Sequence, residues 1–329
     1  MSGNAKVVLT DYVWDTLSVE ENALKGLADI VALQTKTPEE FLPEAEDCDA
    51  ILNTYAGPIT AETMAKMSKC RIIARYGIGV DTIDLDAATE AGIIVTNNPT
   101  YCIQEVAEHA MALLLACARR VAFFDRQVRN GDWNVMAGKP MFRLNGSTLG
   151  LVGFGNIARE VATRAVAFGM HVLFADPFVD EGQFEVPGIK VEPEELYTSS
   201  DYLSVHPPLI PETRGMINDE VFRQMKPTAY IVNCSRGPII DTNALVRALD
   251  AGEIGGCGLD TTDPEPLPDP HSLRGRDNVI INPHAAWYSL ESMEGLQRGA
   301  PNEVRRVLSG EWPVNVVNQK VKEKNRAGL

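Results

Sequence analysis

Short apolar runs alternate with longer segments of mixed polarity through the first hundred residues. The apolar runs are rich in β-branched residues: KVVL (6–9), DIVAL (29–33), DAILN (49–53), RIIARY (71–76) and GIIVTN (92–97). The segments between them, such as TAETMAKMSK (60–69), have the mixed polarity of surface helices. Strands that alternate with helices pair in parallel through right-handed crossovers. The pattern therefore predicts a first parallel α/β unit.

A second series of strands begins at STLGLVGFG (147–155). Before it, apolar positions spaced by three and four predict one long helix from Ile103 to Arg129. After it, LESMEGLQRGAPNEVRRVL (290–308) predicts a helix that returns to the first unit. The predicted fold class is α/β, with two Rossmann- or flavodoxin-like domains built on parallel sheets. The strands predicted for the second unit are 148–152, 171–175, 202–206, 229–234, 256–260 and 278–282.

Composition and charge exclude several classes of protein. A chain of 329 residues favours two domains over one. Its net charge of −15 disfavours nucleic acid as a partner. No apolar run reaches the ~18 residues of a membrane helix, so no membrane partner is expected. The six cysteines are dispersed without a C-x-x-C pair, so neither a metal site nor a disulfide framework is expected. With no secretory signal, the expected location is the cytoplasm.

The segment TLGLVGFGNIAREVATRAVAFGMHVLFADP (148–177) carries the most specific motif of the chain. Gly153, Gly155 and Ala158 form G-x-G-x-x-A between a predicted strand and a predicted helix, the context of dinucleotide binding. Asn156 and Ile157 open that helix, whose free N–H groups favour a pyrophosphate. The other interpretation is a glycine-rich turn with no ligand.

Asp176 follows Gly153 by 23 residues, at the end of the next predicted strand. An acid at this point accepts hydrogen bonds from the adenosine ribose and repels a 2′-phosphate. Asp180 and Glu181 follow it, and no basic residue does so closely. The expected cofactor is therefore NAD, with NADH preferred over NADPH.

Three later strands each end in a residue suited to 2-keto acid reduction: Arg236, Glu265 and His284. Ligands of open α/β sheets bind at the carboxyl ends of the strands. An arginine binds a carboxylate and polarises a carbonyl, a histidine donates the proton, and a carboxylate orients that histidine and keeps it protonated. Each residue alone also fits an ordinary turn, loop or strand end.

Six stretches together resemble the D-isomer-specific 2-hydroxyacid dehydrogenases over nearly the full length of the chain. They are RYGIGVDTID, LGLVGFGNIARE, HPPLIPETRGMI, VNCSRGPIIDTNAL, GLDTTDPEPLP and NPHAAWYS. The resemblance implies that Arg236, Glu265 and His284 are the catalytic residues. It also implies a substrate-binding domain of residues 1–101 and 290–329, and an inserted NAD-binding domain of residues 102–289.

The resemblance implies further site residues, one position at a time. The cofactor would be contacted by His206, Pro207, Cys234 and Asp260, and the substrate by Tyr76, Gly77, Ile78 and Gly79, with Arg75 beside them. The segment PHAAWYS is most similar to the C-terminal binding proteins and their bacterial dehydrogenase relatives, where the equivalent of Trp287 lines the substrate pocket. The resemblance further implies a homodimer, or a dimer of dimers.

Alternative functions remain open at this level. The C-terminal binding proteins are NAD-dependent corepressors. The likeness to them leaves open an alternative function, an NAD(H)-sensing, corepressor-like binding protein with weak or vestigial dehydrogenase activity. Glu265 argues against formate oxidation, because the formate enzymes of this family carry glutamine there, whereas phosphite oxidation stays open. A phosphorylated substrate is disfavoured, because the predicted substrate loops offer only Arg75 as a cation.

Overall fold

The computed structural model of the chain describes residues 4–329. Contacts between residues divide it into two compact units, one of residues 1–101 and 289–329 and one of residues 102–288. None of the described helices is long and apolar enough to cross a membrane.

The first unit is built on a five-stranded, all-parallel sheet with strand order β2-β1-β3-β4-β5. Every residue of the strands β3, β4 and β5 is buried. Parallel strands covered on both faces read as continuous apolar runs, which is the pattern seen in the sequence. The strands are β1 (Ala5–Leu9), β2 (Ala28–Ala32), β3 (Ala50–Asn53), β4 (Ile72–Arg75) and β5 (Ile94–Thr96).

Short helices connect the strands of the first unit. Polar residues with side-chain oxygens start several of them: Thr37 forms a capping box with Glu40, and Asp84 accepts a hydrogen bond from the Ala87 N–H at 2.9 Å. These helices are α1 (Ser18–Leu24), α2 (Pro38–Ala45), α3 (Ala61–Lys66) and α4 (Leu85–Glu90).

The second unit contains a seven-stranded, all-parallel sheet with strand order β12-β11-β10-β9-β6-β7-β8. All six predicted strands of this unit are present, and a two-residue edge strand, β8, has no counterpart in the prediction. The strands are β6 (Thr148–Val152), β7 (His171–Ala175), β8 (Ile189–Lys190), β9 (Tyr202–Val205), β10 (Tyr230–Asn233), β11 (Gly256–Leu259) and β12 (Val279–Ile281). The two parallel sheets confirm the predicted fold class.

The prediction of one helix from Ile103 to Arg129 is wrong. Two helices occupy this stretch, because Arg120 adopts a left-handed backbone with φ 51° that a continuous α-helix cannot include. The helices of the second unit are α5 (Ile103–Ala118), α6 (Val121–Arg129), α7 (Asn156–Ala167), α8 (Pro193–Ser199), α9 (Asp219–Gln224) and α10 (Thr242–Ala251).

The last long helix, α11 (Leu290–Leu308), belongs to the first unit. Ser289 caps it by accepting a hydrogen bond from the Ser292 N–H at 2.9 Å. The helix packs on α1 and on β4, and Gln297 donates a hydrogen bond to the Thr16 carbonyl at 3.1 Å. The helix predicted for residues 290–308 thus contacts elements from the N-terminal part of the chain.

Candidate active site

The glycine motif forms the turn between β6 and α7. Gly153 has φ 80°, and a Cβ there would lie 3.2 Å from the Pro207 backbone nitrogen, so both conformation and space require glycine. Gly155 is the N-cap residue of α7, and apart from its chain neighbours no atom of the described residues lies within 4 Å of the place that its Cβ would occupy. Ala158 is fully buried. The turn thus offers the N-terminus of a twelve-residue helix beside open space.

Asp176 is fixed at the tip of this turn. One carboxylate oxygen accepts a hydrogen bond from the Phe154 N–H at 2.7 Å, and the other accepts one from the Phe178 N–H at 2.8 Å. The acid that was expected to bind the adenosine ribose is therefore locked against the glycine turn.

His206 follows β9 and has a buried Nε2 atom without a hydrogen-bond partner among the described residues. Burial lowers the pKa of His206 to about 4, so the ring is neutral near pH 7. A buried polar atom without a partner costs stability unless a ligand satisfies it. The unpartnered Nε2 atom of His206 and the open space beside Gly155 are both consistent with a dinucleotide bound to the second unit.

His284 and Glu265 are in direct contact. The Nδ1 atom of His284 lies 2.6 Å from Oε1 of Glu265. Burial raises the pKa of Glu265, but the hydrogen bond and charge of His284, the Thr262 backbone and the Arg236 charge together lower it below its ordinary value. The carboxylate is therefore ionised near neutral pH.

The segment after Arg236 runs against the segment before Glu265. A Cβ at Gly237 would collide with the Thr262 carbonyl, so glycine is required for this close approach. The Thr262 hydroxyl donates to the Pro264 carbonyl at 2.9 Å, which organises the turn before Glu265. Thr262 therefore has a local structural role.

Asp260 holds the backbone of the His284 segment. Its carbonyl accepts a hydrogen bond from the His284 N–H at 2.8 Å, and its carboxylate accepts from the Ala285 and Ala286 N–H groups at 2.8 and 2.9 Å. His284 has φ 55°, a conformation that residues other than glycine seldom adopt. His109, on α5, places Nε2 3.4 Å from the Asp260 carboxylate.

The predicted substrate loop lies in the first unit and follows β4. Its first residues are buried in the protein interior. Arg75 is buried and donates to the Tyr76 carbonyl, and Tyr76 is buried with its hydroxyl donating to Glu20 at 3.2 Å. The Gly77 carbonyl accepts from the Asn98 N–H at 2.8 Å. Burial is the largest influence on Glu20 and raises the pKa of its carboxyl.

The structure brings some predicted residues together and adds others. Glu265, His284 and Asp260 are joined by hydrogen bonds, while Cys234 is a buried thiol whose pKa is raised by burial and by Asp260. Trp287 packs edge-on against Tyr288, with ring centroids 5.6 Å apart. Sequence reasoning missed two residues that support the predicted site residues from distant elements, Glu20 beside Tyr76 and His109 beside Asp260.

Comparisons with known proteins agree with this geometry. A family model described as "D-isomer specific 2-hydroxyacid dehydrogenase, NAD binding domain" matches residues 111–286. A glyoxylate reductase of Korarchaeum cryptofilum is 42% identical over 85% of this chain and 86% of its own. A D-lactate dehydrogenase structure from Aquifex aeolicus, complexed with NAD and lactic acid, is 30% identical with a TM-score of 0.85, covering 97% of this chain and 98% of its own.

An acyclic imino acid reductase in complex with NADPH and D-Arg is also similar. It is 28% identical, with a TM-score of 0.86, and the match covers 95% of this chain and 99% of the other.

Fold, glycine turn and comparisons together define an NAD-binding α/β oxidoreductase that acts on CH–OH groups. The chain belongs to the D-isomer specific 2-hydroxyacid dehydrogenase family. The predicted function, an NAD-dependent 2-hydroxyacid dehydrogenase, is thereby confirmed, and the alternative of a corepressor-like binding protein is not favoured.

Proposed function

We propose that this dehydrogenase reduces a small 2-keto acid of the glyoxylate and hydroxypyruvate class, with NADH as the preferred reductant. The observation that carries this proposal is the 2.6 Å contact between His284 and Glu265, which prepares an imidazole for proton transfer. The glyoxylate reductase relative supports the choice of a small substrate.

Three residues carry the proposed chemistry. Arg236 binds the substrate carboxylate and polarises the keto oxygen. Glu265 holds Nδ1 of His284, so Nε2 is the ring nitrogen that we assign to proton donation at that oxygen. Bound NADH supplies the hydride to the keto carbon. In the oxidation direction, His284 takes the proton back.

The cofactor-binding residues are proposed as a set. Gly155, Asn156 and Ile157 present the α7 N-terminus to the pyrophosphate, and Gly153 makes the turn that permits this. Asp176 binds the adenosine ribose and provides the preference for NADH. The other residues assigned to the cofactor are His206, Pro207, Cys234 and Asp260.

For the substrate, we assign the carboxylate-binding loop to Tyr76, Gly77, Ile78 and Gly79, with Arg75 beside it. Trp287 limits the space for the substituent on the keto carbon. Arg75 is buried and its guanidinium also lies 5.5 Å from the Tyr55 ring, which leaves this loop poorly suited to a phosphorylated substrate.

The domain bounds, the assembly and the location of the protein are proposals as well. We propose that residues 102–289 form the NAD-binding domain, inserted into a substrate-binding domain of residues 1–101 and 290–329, and that the protein is a cytoplasmic homodimer or dimer of dimers. Exposed apolar side chains between Val121 and Met136, including Trp133 at 90% exposure, support an interface in the NAD-binding domain. Light scattering after size exclusion measures the assembly.

The reaction is tested by NADH oxidation at 340 nm. The panel contains glyoxylate, hydroxypyruvate, pyruvate, phenylpyruvate and 3-phosphohydroxypyruvate, with NADPH in parallel. We expect the highest kcat/KM with glyoxylate or hydroxypyruvate and NADH. A kcat/KM that is higher for phenylpyruvate or for the phosphorylated acid would contradict the proposed substrate class.

A further inference from the structure

Arg159 lies in the first turn of α7 and reaches back to the glycine turn. Its Nη1 donates to the Phe154 carbonyl at 3.1 Å, and its Nη2 donates to the Asn156 side chain. Its guanidinium lies over the Phe184 ring, 3.8 Å from the centroid. Phe184 belongs to the segment that follows β7, so the arginine spans from the glycine turn to the segment after Asp176.

Phe154 connects Arg159 to Asp176. Its N–H donates to the Asp176 carboxylate at 2.7 Å, while its carbonyl accepts from Arg159 at 3.1 Å. Two side chains of opposite charge therefore hold the same residue of the glycine turn. Since Asp176 marks the adenosine end of the dinucleotide site, a cation stands at that end as well.

We propose that Arg159 is a specificity-determining residue that allows the adenosine end of the site to accept the 2′-phosphate of NADPH, against the repulsion from Asp176. A guanidinium recognises phosphate through paired N–H donors. The proposal rests on the cofactor site of the proposed function. It implies that the preference for NADH is moderate, because Asp176 and Arg159 act in opposite directions.

The charged groups around Arg159 leave its guanidinium available to a phosphate. Its contacts are a carbonyl, a side-chain amide and an aromatic ring, all of them neutral groups. On the same helix, Glu160 is paired with Arg164 at 2.6 Å. Lys190 lies 3.7 Å from Asp180. Glu181 and Glu185 are exposed in the segment after Asp176 and add to the repulsion of a phosphate.

The test measures binding to the full-length protein by calorimetry, without any keto acid. The ligands are NADH and NADPH, together with AMP and adenosine 2′,5′-bisphosphate, which differ only by the 2′-phosphate. The variants are Arg159→Gln, Asp176→Ser and the double variant. Arg164→Gln is the matched control, because Arg164 lies on the same helix and binds Glu160 and Gln104 instead.

We expect Arg159→Gln to weaken the binding of NADPH and of adenosine 2′,5′-bisphosphate about tenfold. The affinities for NADH and AMP should change less than about twofold. Asp176→Ser should strengthen the binding of NADPH about tenfold, and the double variant should lose this gain in affinity. Arg164→Gln should leave all four affinities unchanged.

Equal weakening of NADH and NADPH in Arg159→Gln would overturn the proposal, since it would indicate a contact to the shared pyrophosphate. Unchanged binding of all ligands would overturn it too. If wild type binds NADH but reduces no keto acid, the proposed substrate fails while the role of Arg159 is still decided by these affinities.

Discussion

Two glutamates, one in each unit, have carboxyl groups whose pKa values move in opposite directions. Glu20, in α1 of the first unit, is fully buried, and burial raises its pKa even though Tyr76 donates to it at 3.2 Å. Glu265, in the second unit, has a side chain that is 41% exposed. Burial is the largest single influence and would raise its pKa as well, but the contact with His284, the Thr262 backbone and the Arg236 charge together lower it.

The opposite pKa shifts distinguish an acid with a structural role from an acid with a proposed role in the reaction. The carboxyl of Glu20 is shifted towards its neutral form and anchors Tyr76, the first residue of the proposed substrate loop. Glu265 is held ionised at the surface, where its charge supports a neighbouring imidazole. The same residue type therefore holds a loop in place in one unit and, in the proposed mechanism, supports proton transfer in the other. The following variants test both roles.

The largest effect is expected for His284→Gln. Removing the proton donor should lower kcat about 10²- to 10⁴-fold, the usual contribution of a general acid. NADH affinity should change less than about twofold, because the cofactor assignments do not include this side chain. Stopped-flow turnover and NADH titration measure the two quantities.

His171→Gln is the matched control, because His171 is an exposed histidine on β7 of the same unit. It should retain wild-type kcat. If His284→Gln turned over at the wild-type rate, Glu265 would have no chemical partner and the comparison with Glu20 would lose its meaning.

Tyr76→Phe tests the anchoring role of Glu20. The variant leaves a buried carboxyl without its hydroxyl donor, which should cost about 1–3 kcal/mol of the free energy of unfolding. Denaturant unfolding measures this cost. Tyr288→Phe, at an exposed tyrosine, is the control and should cost nothing measurable.

The double variant Tyr76→Phe/Glu20→Leu makes the test specific. Replacing both partners by apolar groups removes the unsatisfied carboxyl, so part of the lost stability should return. A double variant whose loss equals the sum of the two single losses would show that the Tyr76–Glu20 hydrogen bond does not couple these residues.

The sequence predicts much of this architecture because the relevant signals are local. Continuous apolar runs mark strands buried on both faces, and each proposed chemical residue lies in the loop that follows a strand. The contact between Glu265 and His284 was foreseeable for this reason, since neighbouring parallel strands deliver their carboxyl ends to one edge.

The features that the sequence could not predict depend on tertiary contacts. The break in the long helix falls at Arg120, where neither a glycine nor a proline marks the end of a helix. Glu20 is 56 residues from the tyrosine that it binds. Arg159 reads as an ordinary residue of a polar helix face, and only folding shows that its side chain contacts Phe154 and Phe184. Acids buried by distant elements look the same in sequence as exposed ones.

Glu20→Gln should change how stability depends on pH. Because the pKa of Glu20 is raised in the folded state, the folded protein binds its proton more tightly than the unfolded chain does. Its contribution to stability is therefore largest below its ordinary value of 4.5 and declines as pH rises above it. The Tm of wild type minus that of Glu20→Gln should fall between pH 4 and pH 7. A difference that is independent of pH would mean that Glu20 is not shifted by burial.

Glu265→Gln should show the opposite and smaller dependence. The pKa of Glu265 is lowered, so its contribution to stability is present above the ordinary value of 4.5 and is lost as pH falls through the lower folded value. The Tm of wild type minus that of Glu265→Gln should be constant above pH 5 and shrink below pH 4.5, and partial exposure of the pair keeps the difference small. In the His284→Gln background the shrinkage should vanish, since the imidazole is the principal cause of the lowered pKa. If it persisted there, Arg236 and the Thr262 backbone would be the groups that hold Glu265 ionised, and the contrast with Glu20 would arise from the loop itself and not from its histidine partner.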